Sequence, residues 1–199
     1  HAWSCFAAMS LGLVGLACVL AFLHNDNAWW MFVAIKLGTF GLLLPVFFTV
    51  AHRMFPFFAG NVVAGYTPWR PMWLLAAAWL LLLAHLLLEL THAYAALFWV
   101  DIPLALFFTC ILLRWWPREA APGLLWVLFI GFSWLPLAFG LYAMQSGVYA
   151  ATGEFLLGRG PAHALYIGFF GTLLVAMVTR VTQGHSGRPL AMPRIGWFA

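Results

Sequence analysis

Charge is scarce in this chain of 199 residues: only 7% are Asp, Glu, Lys or Arg, against about 25% in a typical soluble domain. That shortage excludes a globular domain kept in solution by a charged surface. It also excludes a nucleic-acid groove, which requires a basic face in water. Cysteine is nearly as sparse. Cys5, Cys18 and Cys110 stand singly in apolar runs without a Cys-x-x-Cys pair, so neither a disulfide framework nor a zinc site has support. They read as small buried hydrophobes. An initiating Met and a basic stretch ahead of the first apolar run are both lacking, so no signal peptide is legible. The expectation is a single transmembrane helical domain over residues 1–199 that starts inside a longer protein, with further helices upstream. No Gly-x-Ser-x-Gly occurs either, which removes the usual signature of a serine hydrolase.

What is present is grease. Hydrophobic residues make up 65% of the chain, and the mean hydropathy is +0.98. Cutting at the polar breaks leaves six apolar stretches, at residues 2–23, 28–53, 72–91, 94–116, 122–145 and 161–183. Each is near the ~20 residues that cross a bilayer. The expected fold class is therefore all-α, a polytopic membrane bundle of six transmembrane helices. Residues 55–71 read as a long link whose apolar start, Phe55-Pro56-Phe57-Phe58, lies at the membrane interface. Pro136 is expected to kink the fifth helix, and residues 146–160 read as a Gly-rich link.

Distribution explains the net charge of +4. Arg53, Arg70, Arg114, Arg118, Arg180, Arg188 and Arg194 fall on the side shared by both termini, Arg159 alone falls opposite, and Lys36 lies inside a span. By the positive-inside rule both ends face the cytoplasm. Twelve Trp and nineteen Phe suit lipid-facing surfaces and interfacial belts.

Against that background, ionisable residues inside the membrane cost about 2.5–3.5 kcal/mol each on insertion scales and call for a partner or a purpose. They form two clusters. On the outer side, His85, Glu89 and His92 are spaced by four and seven, which places them within about 40° on one helical stripe. Asp101 and His163 begin helices on the same side, and Lys36 lies about 12 Å in from the outer end of its helix. Imidazoles beside carboxylates are a ligand set for divalent copper or another borderline metal, so His85, Glu89, His92 and His163 are the candidate metal ligands. The acids could instead fix imidazole tautomers from behind. The plainer reading is a hydrogen-bonded polar seam in which Lys36 pairs with Glu89 or Asp101. His24 reads as a surface turn residue.

The inner cluster joins His52 and Arg53 at the end of the second stretch to Arg180, His185 and Arg188 at the end of the sixth. Histidine is a common haem ligand, and guanidinium pairs bidentately with carboxylates such as haem propionates. These five are the candidate cofactor-binding residues. The plainer reading is positive-inside arginine with interfacial histidine.

Several strings are specific. The run His163-Ala164-Leu165, then Met177-Val178-Thr179-Arg180-Val181, then Gly184-His185-Ser186-Gly187-Arg188-Pro189-Leu190 resembles the NnrS family, as does His52-Arg53-Met54-Phe55-Pro56-Phe57-Phe58. Phe55 stands where an aliphatic residue is usual, and Ser186 where Thr is common. The Trp-His-Ala-His-Glu-type motif of the family's N-terminal half is absent. The resemblance implies that this chain is the C-terminal half of a multi-pass protein of the bacterial inner membrane that carries haem and copper. It further implies that nitric oxide or a metal-nitrosyl species is the ligand, in nitric oxide metabolism or tolerance linked to denitrification. Partners are then the lipid bilayer and the missing N-terminal helices, with no nucleic acid. Two alternatives remain open: a cytochrome-b-like electron carrier, and a proton-coupled transporter without metal that uses Lys36, Glu89 and Asp101.

Overall fold

A computed structural model describes residues 1–185, with side chains through Gln183. Every regular element among the described residues is helical. Six helices are long and apolar enough to cross a membrane: α1 (Ala2–Asn25), α2 (Ala28–Val62), α3 (Trp73–Leu90), α4 (Phe98–Trp115), α5 (Gly123–Thr152) and α6 (Gly160–Gln183). The helical backbone of α6 continues to His185.

The breaks follow local chemistry. Asp26 ends α1 in the left-handed region, φ 50°, with its N–H donated to the Phe22 carbonyl; Asp tolerates that conformation better than most residues. Asn27 then caps α2 by accepting from the Trp29 N–H at 3.0 Å, satisfying one of the orphan donors at a helix start.

Two helix ends differ from expectation. α2 does not stop at Arg53; it runs through Pro56 to Val62. A proline inside a helix removes one backbone hydrogen bond. Here Phe55 and Phe58 on either side of it are buried, and that packing outweighs the loss. Helix α5 likewise continues past Pro136 and Gln145 to Thr152. Ser146, expected in the link, is buried instead. Its hydroxyl donates to the Tyr94 carbonyl at 2.6 Å and accepts from the Phe98 N–H at 2.8 Å, which ties α5 to the start of α4.

Two helices contain π-helical stretches, Leu37–Leu43 in α2 and Ala164–Gly171 in α6. Each follows directly on an ionisable residue, Lys36 or His163. Such wide turns are rare and frequent at functional sites.

The chain contacts divide into two compact units. The first comprises His1–Met54, Arg70–Leu104 and Tyr142–Leu156; the second comprises Phe55–Trp69, Ala105–Leu141 and residues 157–185. In the first unit α1 and α2 approach closely: a Cβ at Gly12 would lie 2.8 Å from Leu42. Small residues at such a contact let membrane helices pack backbone to backbone.

The second unit has an aromatic core. Phe55 meets Phe129 and Phe132 with ring centroids 5.5 and 5.6 Å apart, and Trp115 meets Phe132 at 5.5 Å. The segment after α2 is pinned to the end of α4: Trp115 Nε1 donates to the Trp69 carbonyl at 2.8 Å, and the Tyr66 hydroxyl donates to the Trp115 carbonyl at 3.1 Å. Burial pushes the Tyr66 phenol up to about 12. Because that value lies above the unfolded one, near 10, the native state holds its proton longer. Stability is unaffected below pH ~10 and falls as pH rises from there to the folded value. The Tyr66→Phe variant is expected to lose less stability over that window, as read by alkaline unfolding in detergent.

In the same unit α5 and α6 touch at Gly168, where a Cβ would stand 2.5 Å from the Trp134 indole. The atoms met belong to the rigid root of the ring, so it cannot fold away. Gly168→Val is expected to cost about 1–3 kcal/mol by overpacking, measured as a lowered melting temperature in detergent.

Candidate functional site

The outer cluster assembles in the first unit. Residues four apart share a helix face, and α3 thereby presents His85 and Glu89 together, His85 Nε2 lying 3.8 Å from Glu89 Oε1. Asp101 comes from the first turn of α4, where the helix dipole favours a negative charge. Its Oδ1 lies 2.5 Å from His85 Nδ1. From α2, Lys36 Nζ reaches Glu89 Oε1 at 2.9 Å and lies near the faces of Phe32 and Phe40. His85 and Asp101 are 0% exposed and Glu89 is 4% exposed. Phe40 and Tyr142 close over the imidazole, with ring centroids 4.2 and 5.5 Å away. Four ionisable groups thus form one row, Lys36–Glu89–His85–Asp101.

The other two candidate metal ligands lie elsewhere. α3 ends at Leu90, so His92 sits beyond it in the left-handed region, φ 57°. The seven-residue spacing assumed a helix that had already stopped. His92 Nδ1 instead meets the Tyr94 hydroxyl at 2.5 Å, and its ring faces Trp29 and Phe32. Burial, with the charges of Glu89 and Tyr149, pushes the Tyr94 phenol up. His163 belongs to the second unit. There it is exposed and borders an apolar cavity of about 600 Å³ along the π-helical stretch of α6. Among the described residues, no group of three or more His, Cys, Asp or Glu side chains is arranged to hold a metal ion.

The inner candidates are placed one by one. His52 on α2 is completely buried. Its Nε2 lies 3.1 Å from the Pro71 carbonyl, and its Nδ1 lies 3.0 Å from Nε2 of His1. Donation to a carbonyl requires the proton on Nε2, which leaves the Nδ1 lone pair facing His1. Beside this pair is a cavity of about 930 Å³ lined by His1, Ser4, Met72 and Trp79 among others. Trp79 Nε1 donates to Ser4 Oγ at 2.7 Å, and Ser4 in turn meets Thr49. Arg53 is exposed. In the second unit the Arg180 guanidinium lies over the Phe58 ring, 3.7 Å from its centroid. The His185 side chain and the whole of Arg188 lie outside the described residues.

Sequence reasoning missed the pairing of His1 with His52. It also missed the roles of Pro71, Tyr142 and Ser146. A backbone carbonyl such as that of Pro71 leaves no sequence signal. The two π-helical stretches share the string Gly-x-Phe-Gly, at Gly38–Gly41 and Gly168–Gly171.

Comparison with curated proteins and with solved structures gives no match. The family model described as NnrS protein matches residues 1–199, the whole of the chain. The chain therefore belongs to the NnrS family and is a nitric oxide-related multi-pass membrane protein.

Proposed function

We propose that this protein handles nitric oxide in the bacterial inner membrane through haem and copper, with His52 as a metal-ligating imidazole. The observation that carries the proposal is the buried His52 ring. One nitrogen is held by the Pro71 carbonyl and the other lies 3.0 Å from His1 Nε2, and a hydrogen bond from behind is what fixes the tautomer of a ligating histidine. Imidazole suits iron and copper alike. The cavity of about 930 Å³ lined by His1, the hydrogen-bond partner of His52, falls in the size range of small-molecule sites.

Next to His52 in the first unit, Arg53 carries a guanidinium suited to a carboxylate substituent of a haem; Arg180, His185 and Arg188 are the other residues expected from sequence. When bound, haem and copper supply redox-active ions that take a diatomic gas as ligand. The chain does the rest. His52 is oriented by Pro71, and apolar helix walls keep out water and ions while admitting an uncharged gas from the lipid.

The outer acids and imidazoles do not fit a copper ion as they stand. The Lys36 ammonium already occupies the Glu89 oxygen that faces His85, and His92 is turned to Tyr94.

The test is an optical spectrum of the purified full-length protein, oxidised and reduced, taken with and without nitric oxide. The proposal expects a haem spectrum that nitric oxide shifts. A colourless protein, or a spectrum indifferent to the gas, would refute it.

A further inference from the structure

We infer that Arg114 and Arg180, each held over an aromatic ring of the Phe55–Trp69 segment, form a binding surface for the phosphate headgroup of an anionic phospholipid. The surface lies wholly within the second unit. It does not rest on the haem and copper reading.

Two guanidinium groups from different helices meet rings of one segment. Arg114, in the last turn of α4, lies over the Trp69 indole, 5.5 Å from its centroid, and Arg180 of α6 lies over the Phe58 ring at 3.7 Å. A ring orders a guanidinium by stacking and cation–π attraction without supplying an oxygen to its N–H donors. A phosphate accepts two of those donors in parallel. The rings are themselves fixed. Phe58 is buried, and the Trp69 carbonyl accepts from Trp115 Nε1 at 2.8 Å. A Cβ at Gly60 would stand 3.2 Å from the Pro68 ring, so the stretches that carry Phe58 and Trp69 lie against each other.

What the two arginines lack is a counter-charge. Glu119 is the one acid among the described residues of this unit. The ion pairs among the described residues join Lys36, Glu89, His85 and Asp101 instead. Positive-inside topology alone is satisfied by solvated arginines and calls for no ring beneath them. The position points to lipid. Helices α2, α4 and α6 end at the same membrane face, since a single span separates each from the next. Trp116 and Trp126, with centroids 5.2 Å apart, stand at that face, and Trp favours the headgroup level. Beside the arginines, Leu113, Val178 and Val181 are 64%, 56% and 52% exposed. A free phosphate would meet the guanidinium groups alone, whereas a phospholipid meets them with its headgroup and the apolar side chains with its acyl chains.

The experiment is native mass spectrometry of the full-length protein in detergent, titrated with phosphatidylglycerol, phosphatidylethanolamine or inorganic phosphate. Phosphatidylglycerol is expected to be retained more tightly than phosphatidylethanolamine, and inorganic phosphate at equal concentration should not displace it. Arg114→Gln and Arg180→Gln each weaken its binding about fivefold, the share of one arginine at an anionic lipid surface. Arg159→Gln, exposed at the opposite end of α6, leaves it unchanged. Trp69→Leu keeps the charge but removes the ring and weakens binding too, while Trp69→Phe retains it. Should Trp69→Leu fail to fold, the arginine variants decide alone. The lipid titration reads the same whether or not the protein carries metal. Equal affinity for the two lipids, displacement by inorganic phosphate, or an Arg114→Gln effect no larger than that of Arg159→Gln would overturn the proposal.

Discussion

Lys36→Met is expected to lower the stability of the folded protein by about 3–5 kcal/mol, the cost of leaving a buried charge without its partner. The Glu89 carboxylate is 4% exposed and its contact with Lys36 Nζ, at 2.9 Å, is closer than its 3.8 Å approach to His85. Lipid offers no water to take the ammonium's place. The sign of the double substitution is diagnostic. Replacing both members of a buried pair by apolar residues is often neutral, so Lys36→Met combined with Glu89→Leu should recover most of the loss. Denaturant titration in detergent micelles measures all three proteins. A single variant as stable as wild type would mean that the pair contributes nothing.

Phe132→Ala is the second large effect, about 3–5 kcal/mol. Phe132 is completely buried and stands at the centre of the aromatic core, with Phe55, Trp115, Phe108 and Phe169 around it. Inside a membrane the loss is one of packing, since lipid tails are as apolar as the core and the hydrophobic effect is weak there. The deleted ring leaves its neighbours facing a void and forfeits their dispersion contacts. The contrasting variant is Phe57→Ala, at a half-exposed position in the same run, which should cost far less. Equal effects at the two positions would show that the core carries no special stability.

Much of this architecture was legible in the sequence because length and hydropathy are direct physical requirements of a bilayer. Six spans were expected, and among the described residues six helices are long and apolar enough to cross a membrane. The helix ends were less legible. Pro56 and Gly147 look like breaks, yet packing around Phe55 and the buried Ser146 hydroxyl carries both helices onward. The outer stripe was half legible: His85 and Glu89 share a face because α3 is helical at both, whereas His92 lies past its end. Lys36 pairing with Glu89 was anticipated as the plainer alternative to a metal site, and it is what the side chains do. The His1–His52 contact joins residues 51 apart, and no periodicity reports on such a distance.

The central claim is that the buried imidazole of His52, inside α2, is kept there to hold a metal. Iron and copper analysis of the full-length His52→Ala protein tests it most directly, with His24→Ala as the exposed control and circular dichroism to confirm that both fold. The account predicts that His52→Ala loses iron or copper while His24→Ala keeps both. A folded His52→Ala protein with its full complement of both metals would contradict it.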